Sequence, residues 1–436
     1  MDPAILSLLG IILGVAVFIY MAFKGFQLVI TASCASLVII FTSGVPFMEM
    51  LSVWTGGLSR FINNYFLALT LSALIGKLMN DSGAAKRIAR SFYGLCKKSR
   101  SNQKLLAALF VPVMYIILCY AGISGLVVVF TVMGIGYQIL KEFDIPWRLY
   151  CYGGAVCIVT QWMPGSLNLV NIAAAKTSGA SMLGNPALGV IAAVVFLLVT
   201  FLFLVSDLKR AEKNGEGFMD TGAAYDAAAK APASAEEKLP PLWLAVLPLL
   251  AAILLATACR LDIVIALFAG VLLAIGCFWS YLPAVKKTLG DGVVSAFGPV
   301  IGVGATSAVA TVIMAAPGFG IVVSALSRLP STMEGVGYIA ILTFIMATGS
   351  GSISSIGERA MECFAAAGLS PATASTLMQV ATFTTCPPHS SAVANVTVVA
   401  KLEYRRIIGL YLKVTFVGGA CAMAVCLLLT QLGLFV

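Results

Sequence analysis

Long apolar stretches separated by short polar connections make up most of this chain, and their order is similar in its two halves. About 20 apolar residues suffice for a helix to cross a bilayer, so each long stretch predicts a membrane span. The predicted spans lie at 4–23, 26–43, 58–80 and 186–206 in the first half and at 241–259, 262–281, 292–316 and 407–434 in the second. Amphipathic arms at 82–100 and 317–333 follow the third span of each half.

A polar segment at 207–240 divides the chain. It is rich in Ala, Gly and charged residues and has no apolar period, so it predicts a flexible linker. We therefore expect two structural repeats, 1–206 and 241–436, with scaffold spans at 4–80 and 241–316.

Each half also contains an apolar stretch with small residues at its centre. These stretches lie at 105–140 and 335–368, with tips at Gly122–Gly125 and Gly349–Ser352. Gly and Ser suit tight turns, and a non-helical backbone at membrane depth must be buried in protein or face water. Each stretch is either a re-entrant hairpin or one span with a glycine kink. We favour hairpins, because they keep most Lys and Arg residues on one side of the membrane.

A second interruption follows each hairpin, within the segments 149–178 and 371–402. The first contains "TQWMPGSLNLVN" and the second "TTCPPHSSAVAN". Aligned in register, they pair Pro164 with Pro388, Ser166 with Ser390 and Asn171 with Asn395. Proline ends a helix because it lacks a backbone donor and clashes with the preceding turn. Broken helices at corresponding positions of inverted halves point to the midplane binding site of a transporter.

The composition agrees with a membrane protein: 60% of residues are hydrophobic and 10% charged, against about 25% charged in soluble domains. The net charge of +9 reflects the cytoplasmic bias of Lys and Arg and does not imply nucleic acid. With hairpins, each half crosses the membrane an odd number of times. The predicted fold is thus an all-α polytopic protein of two inverted five-span repeats, with both termini outside and the linker in the cytoplasm. No cleavable signal peptide is evident.

The chain has eleven Cys residues without paired spacing and one His, so we expect neither disulfides nor a metal or other cofactor. Hydroxyl and amide side chains at the interruptions and tips instead suit a small hydroxylated anion. Alternatively, they cap the broken helices. The candidate substrate-binding residues are Ser124, Ser166, Asn168, Asn171, Thr348, Ser350, Ser352, Ser390, Ser391 and Asn395.

Three ionisable residues are candidates for ion coupling, because such groups are costly within spans. His389 lies in the second interruption and either carries a proton or satisfies freed carbonyls. Glu358 either carries a proton or lies, with Glu362, at a solvated hairpin foot paired with Arg359. Asp81 ends the third span and either takes part in coupling or caps the following arm.

Several motifs together resemble the gluconate:proton symporter permeases of bacteria. They are "LIGKLMNDSGAAKRIA", "PGSLNLVN" with "SGASMLGNPALGVIAA", "ATGSGSISS" and "PPHSSAV", while "DIPWRL" and "PHSSAV" are closer to the branch associated with 3-hydroxybutyrate uptake. The resemblance covers nearly the whole chain except the linker.

This family belongs to the ion transporter superfamily, so the resemblance implies a homodimer in the bacterial inner membrane. It also implies an elevator mechanism and proton-coupled import of a small monocarboxylate. The first interruption is less polar than in gluconate carriers, which favours a smaller acid. Sodium coupling remains an alternative, and a channel or an intramembrane enzyme is disfavoured by the repeated hairpin-and-break pattern.

Overall fold

The computed structural model describes residues 2–24, 26–98, 102–123, 125–227, 239–257, 259, 261–388 and 390–435. Within this part of the chain the regular structure is entirely helical. The helices of the first half are α1 Pro3–Phe23, α2 Leu28–Thr42, α3 Phe47–Asp81, α4 Ala84–Lys98, α5 Gln103–Tyr120, α6 Gly125–Glu142, α7 Cys151–Val156, α8 Leu169–Ser178, α9 Pro186–Lys213 and α10 Met219–Asp226. Those of the second half are α11 Leu242–Thr257, α12 Ile263–Phe278, α13 Val285–Ala315, α14 Phe319–Leu326, α15 Ser331–Met346, α16 Gly349–Ala366, α17 Pro371–Ala381, α18 Ser391–Val399, α19 Tyr404–Leu412 and α20 Gly419–Gln431.

Seven of the described helices are long and apolar enough to cross a membrane. They are Pro3–Ala22, Phe47–Asp81, Gln103–Tyr120, Pro186–Lys213, Val264–Tyr281, Val285–Ala315 and Tyr404–Gln431. Shorter apolar helices occur at Val29–Thr42, Leu242–Ala256 and Ser331–Met346. The prediction of an all-α polytopic membrane protein is confirmed.

The long helices α3 and α13 pack along each other, and both begin earlier than their apolar stretches suggested. Helix α3 begins at Phe47 instead of 58, and α13 at Val285 instead of 292. Gly57 and Gly292, at the predicted starts, lie inside the helices where α3 and α13 approach each other closely. A Cβ on Gly57 would lie 2.3 Å from Thr311 Oγ1, and one on Gly292 would lie 2.8 Å from Leu74 Cδ2. With 35 residues, α3 is about 50 Å long, so it must tilt in a bilayer or extend beyond the hydrocarbon.

Two packed helices occupy each segment predicted as a hairpin, α5 with α6 and α15 with α16. The first turn begins directly after Tyr120 and includes Gly122, as the glycines indicate. The second turn lies at Ala347–Thr348, two residues before the predicted tip, and Gly349–Ser352 form the first turn of α16. Ala347 makes this possible by adopting a left-handed backbone conformation, with φ of +52°.

Residues 207–227 of the predicted flexible linker are folded, so that prediction is wrong for this part. Helix α9 continues to Lys213, and α10 follows it. Phe218 and Tyr225 pack on Trp147, with ring centroids 5.7 and 4.9 Å apart. Glu216 binds the Arg148 guanidinium through two hydrogen bonds of 2.7 and 2.8 Å. These two aromatic residues, two helical turns apart, let a polar segment bury apolar area. Residues 228–238 of the predicted linker lie outside the described part.

Candidate functional site

Each helix interruption is held open by a tyrosine hydroxyl that bonds the proline carbonyl. In the first, a 3₁₀ turn at Cys157–Gln161 leads into non-helical chain before α8, and Tyr120 Oη donates to Pro164 O at 2.7 Å. In the second, α17 and a 3₁₀ turn end at Thr384 before α18 begins, and Tyr404 Oη donates to Pro388 O at 2.6 Å. At each interruption the proline's own carbonyl therefore finds a partner inside the protein, as membrane depth requires.

Both interruptions and both hairpin turns meet at one cavity of about 310 Å³. Helices α3 and α13 supply the facing wall, through residues between Leu69 and Asn80 and between Ser295 and Val303. The turns contribute Gly122, Ile123, Gly125, Ala347, Thr348, Gly349 and Ser350, and the interruptions contribute Gln161, Asn168, Leu169, Val170, Thr385, Cys386, Ser390 and Ala392.

Four helices, α6, α8, α16 and α18, begin at the wall of this cavity. A helix N-terminus carries partial positive charge and unbonded amides, so four together favour an anion. Two of these ends are capped. Asn168 Oδ1 accepts from Val170 N at 3.0 Å in α8, and Ser390 Oγ accepts from Ala392 N at 3.2 Å in α18. Helix α16 differs, because the Thr348 side chain makes no capping hydrogen bond.

The predicted substrate-binding residues whose side chains are described divide into two groups. Asn168, Thr348, Ser350 and Ser390 line the cavity. Ser166, Asn171 and Ser352 are fully buried within the protein, and their polar groups already have partners.

The three buried side chains join elements together. Ser166 Oγ lies 3.4 Å from Tyr120 O. Ser352 Oγ donates to Gly349 O at 2.8 Å within α16, and it also bonds Thr343 Oγ1 of α15 at 2.5 Å. Asn171 Nδ2 donates to Met163 O at 3.1 Å, and Asn171 Oδ1 accepts from Gln379 Nε2 at 3.3 Å. As in the capping alternative, these contacts give the three side chains a structural role. The proposed binding site does not include them.

The side chains of four predicted residues lie outside the described part of the structure. Ser124 and His389 lie outside the described residues. Ser391 and Asn395 belong to α18 by backbone, and their side chains are outside the described part.

Of the other coupling candidates, Glu358 is exposed on α16, as is Glu362. Between them, the Arg359 guanidinium lies over the Tyr338 ring, 5.4 Å from its centroid. Asp81 ends α3, and at the start of α4 the Ser82 Oγ accepts from Ala84 N at 3.4 Å. Asp81 instead pairs with Lys77 at 3.0 Å and accepts from Thr288 Oγ1 at 2.8 Å.

The cavity wall also holds polar residues that were not predicted to bind substrate. They include Lys77, Gln161 and the tyrosines Tyr115 and Tyr411. Lys77 is the only Lys or Arg among the described lining residues. Its ammonium lies 3.0 Å from Asp81 and 4.0 Å from Asp291. In the sequence, Lys77 stands four residues before Asp81 within a predicted span, and this spacing could have indicated the ion pair.

No protein-family model matches the chain. The chain is 26% identical to an uncharacterized transporter, YxjC, of Bacillus subtilis (strain 168), over an alignment that covers 98% of this chain and all of that protein. The similarity over the full length, together with the helical membrane fold, supports a multi-pass membrane transporter.

Proposed function

We propose that this protein is a secondary transporter that imports a small hydroxy-monocarboxylate across the bacterial inner membrane. The observation that carries the proposal is the meeting of four helix N-termini, both hairpin turns and both interruptions at one cavity. Converging helix ends stabilise an anion without a fixed positive charge, so the carrier can release its cargo.

Charge and size both favour one carboxylate. Lys77 is already paired with Asp81, so no unpaired Lys or Arg among the described lining residues is left for a second carboxylate. A volume of about 310 Å³ lies at the lower end of the range for small-molecule sites, roughly 300–1,000 Å³. The resemblance to gluconate:proton symporters, and to the 3-hydroxybutyrate branch in particular, agrees with this class of substrate.

We further propose an elevator mechanism in a homodimer. Helices α1–α3 and α11–α13 act as the scaffold, and the two hairpins with the interrupted helices carry the substrate past them. The cavity between α3, α13 and the hairpin turns suits this division, because its two walls then belong to units that move relative to each other. In this scheme the inverted repeats place both termini outside.

Uptake into proteoliposomes tests the proposal. Labelled 3-hydroxybutyrate is offered with an imposed pH gradient or an imposed Na⁺ gradient, and butyrate, gluconate and succinate serve as competitors. We expect accumulation with the pH gradient, competition by monocarboxylates and poor competition by succinate. Accumulation with Na⁺ alone would assign sodium coupling, and a lack of monocarboxylate uptake under both gradients would refute the proposal.

The variant His389→Ala tests the coupling residue. If His389 carries the proton, the variant loses pH-driven accumulation yet retains part of its substrate exchange, because exchange needs no net proton movement. Wild-type accumulation by the variant would exclude this role and favour Glu358 or sodium coupling.

A further inference from the structure

Tyr411, in α19, belongs to the cavity wall and has a fully buried hydroxyl without a hydrogen-bond partner. Its exposed fraction is 0%, and Tyr411 lines the cavity. Among the described residues its Oη is one of seven buried side-chain atoms that lack a partner. Buried polar groups are nearly always bonded, so an exception on a cavity wall points to a partner that arrives from the cavity.

Ser72 also lines the cavity with an unpaired hydroxyl, but its situation is different. A helical serine can rotate its hydroxyl toward a carbonyl one turn earlier in its own helix. A tyrosine hydroxyl lies at the end of a rigid ring and has no such local acceptor. Tyr411 is therefore the stronger candidate for a ligand contact.

The neighbouring backbone leaves room for this hydroxyl. A Cβ on Gly154, in α7, would lie 2.2 Å from Tyr411 Oη, so any other residue there would displace the hydroxyl. Gly154 itself lines the cavity beside Tyr411.

A π-helical turn at Lys413–Gly418 follows Tyr411 in the chain. Thr415 Oγ1 donates to Tyr411 O at 2.9 Å. Within the turn, Lys413 pairs with Asp207, which also accepts from Tyr152 Oη at 2.8 Å. Single π-helical turns are uncommon and frequently occur at functional sites.

We propose that Tyr411 is a specificity residue that donates a hydrogen bond to the second polar oxygen of the substrate, its hydroxyl or oxo group. This inference rests on the proposed function. The carboxylate lies at the uncapped start of α16, beside Gly349 and Ser350, and the hydroxyl-bearing carbon faces Tyr411. A carboxylic acid without the second oxygen leaves Tyr411 unpaired and binds more weakly.

Equilibrium binding to the purified protein tests this with 3-hydroxybutyrate and butyrate. We expect wild type to prefer the hydroxy acid about tenfold or more. In Tyr411→Phe the preference should fall about tenfold, through weaker binding of 3-hydroxybutyrate at nearly unchanged butyrate affinity. Retained butyrate binding also shows that the variant is folded. If Tyr411→Phe does not fold, Gly154→Ala, which displaces the same hydroxyl, should reduce the same ratio.

Tyr115→Phe is the matched control. Tyr115 lines the same cavity, but its Oη lies 3.5 Å from Tyr150 Oη and so has a partner. Its removal should leave the preference unchanged. An unchanged preference in Tyr411→Phe or an equal loss in Tyr115→Phe would overturn the inference while the proposed function stands. If wild type binds neither acid, both fail together.

Discussion

The two hairpin turns lie at the same cavity but are built differently. The first is tied to the neighbouring interruption: Leu167 N donates to Tyr120 O at 3.0 Å, and Tyr120 Oη donates to Pro164 O at 2.7 Å. The second turn has a left-handed Ala347 followed by Thr348, whose side chain caps nothing. Thus the first turn is bonded to the neighbouring interruption, whereas α16 begins at the second turn without a side-chain N-cap.

This difference indicates that the second turn contributes more to binding. A non-glycine residue in the left-handed region and a missing N-cap each cost about 1 kcal/mol. A bound carboxylate would offset part of this cost, whereas at the first turn the protein's own groups already do so. Four variants test this comparison, in order of expected effect.

The largest effect is expected from alanine at the start of α16. A Cβ on Gly349 would lie 2.8 Å from Thr382 Cβ and 3.0 Å from Val170 Cγ2, so Gly349→Ala forces this turn away from its neighbours. Such overpacking costs about 1–3 kcal/mol, and we expect uptake to fall at least tenfold. At the first turn, Gly125→Ala is the control, since its Cβ would lie 3.6 Å from Cys157 Sγ, an ordinary contact. Equal losses in both variants would remove the contrast between the turns.

A new N-cap should close the second turn to substrate. Thr348 has the extended backbone of an N-cap residue, so Thr348→Asp should accept a hydrogen bond from an α16 amide. We expect a gain in stability of up to about 1 kcal/mol with at least tenfold weaker substrate binding, because the new carboxylate replaces the substrate's. Thermal unfolding and binding measure the two effects.

The control for this variant is Asn168→Asp, at a helix start that is already capped. It should change stability by less than Thr348→Asp does. If Thr348→Asp binds substrate as wild type does, α16 is not the carboxylate site.

Removal of the brace on the first turn should have a smaller effect. Tyr120→Phe leaves Pro164 O without this hydrogen bond and should lower the free energy of unfolding by about 1 kcal/mol. A lower melting temperature in detergent would show this loss. Tyr404→Phe should cost a similar amount at Pro388. Because the first turn is braced by several contacts, we expect Tyr120→Phe to change substrate affinity less than Thr348→Asp does.

The smallest effect is expected at the foot of the first hairpin. Asp226 bonds Lys141 and Tyr137, and the Lys141 ammonium lowers the pKa of Asp226. A carboxylate whose pKa is lowered in the folded protein stabilises the fold fully above its ordinary pKa of about 4. This stabilisation is lost as the pH falls through the pKa of the folded state. The stabilisation that this contact gives should therefore stay constant between about pH 5.5 and 7.5.

Limited proteolysis measures this contact. Asp226→Asn should make residues 214–227 a few times more sensitive to cleavage at neutral pH, and wild-type sensitivity should not change from about pH 7.5 to 5.5. A rise in wild-type cleavage over that range would show that another group controls the contact. Glu358→Gln, at an exposed position of α16, serves as control.

Much of the fold was evident from the sequence because each helix in a membrane must bury or satisfy its own backbone. Apolar length predicted the spans, and Pro164 and Pro388 predicted where helices stop. The glycines at 122–125 located the first turn. The starts of α3 and α13 were missed, because both helices begin before the apolar stretches by which the spans were located.

The sequence by itself determined the class of the protein and the segments that converge on the cavity, because hydrophobic length, proline and glycine act locally. Only the tertiary structure decided which polar side chains face that cavity. Asn168 and Asn171 are three residues apart, yet Asn168 lines the cavity while Asn171 bonds Gln379 from the distant helix α17. Likewise, nothing local distinguishes the bonded hydroxyl of Tyr115 from the unpaired one of Tyr411. A polar group's role depends on whether a neighbour distant in sequence satisfies it, and packing alone brings that neighbour into reach.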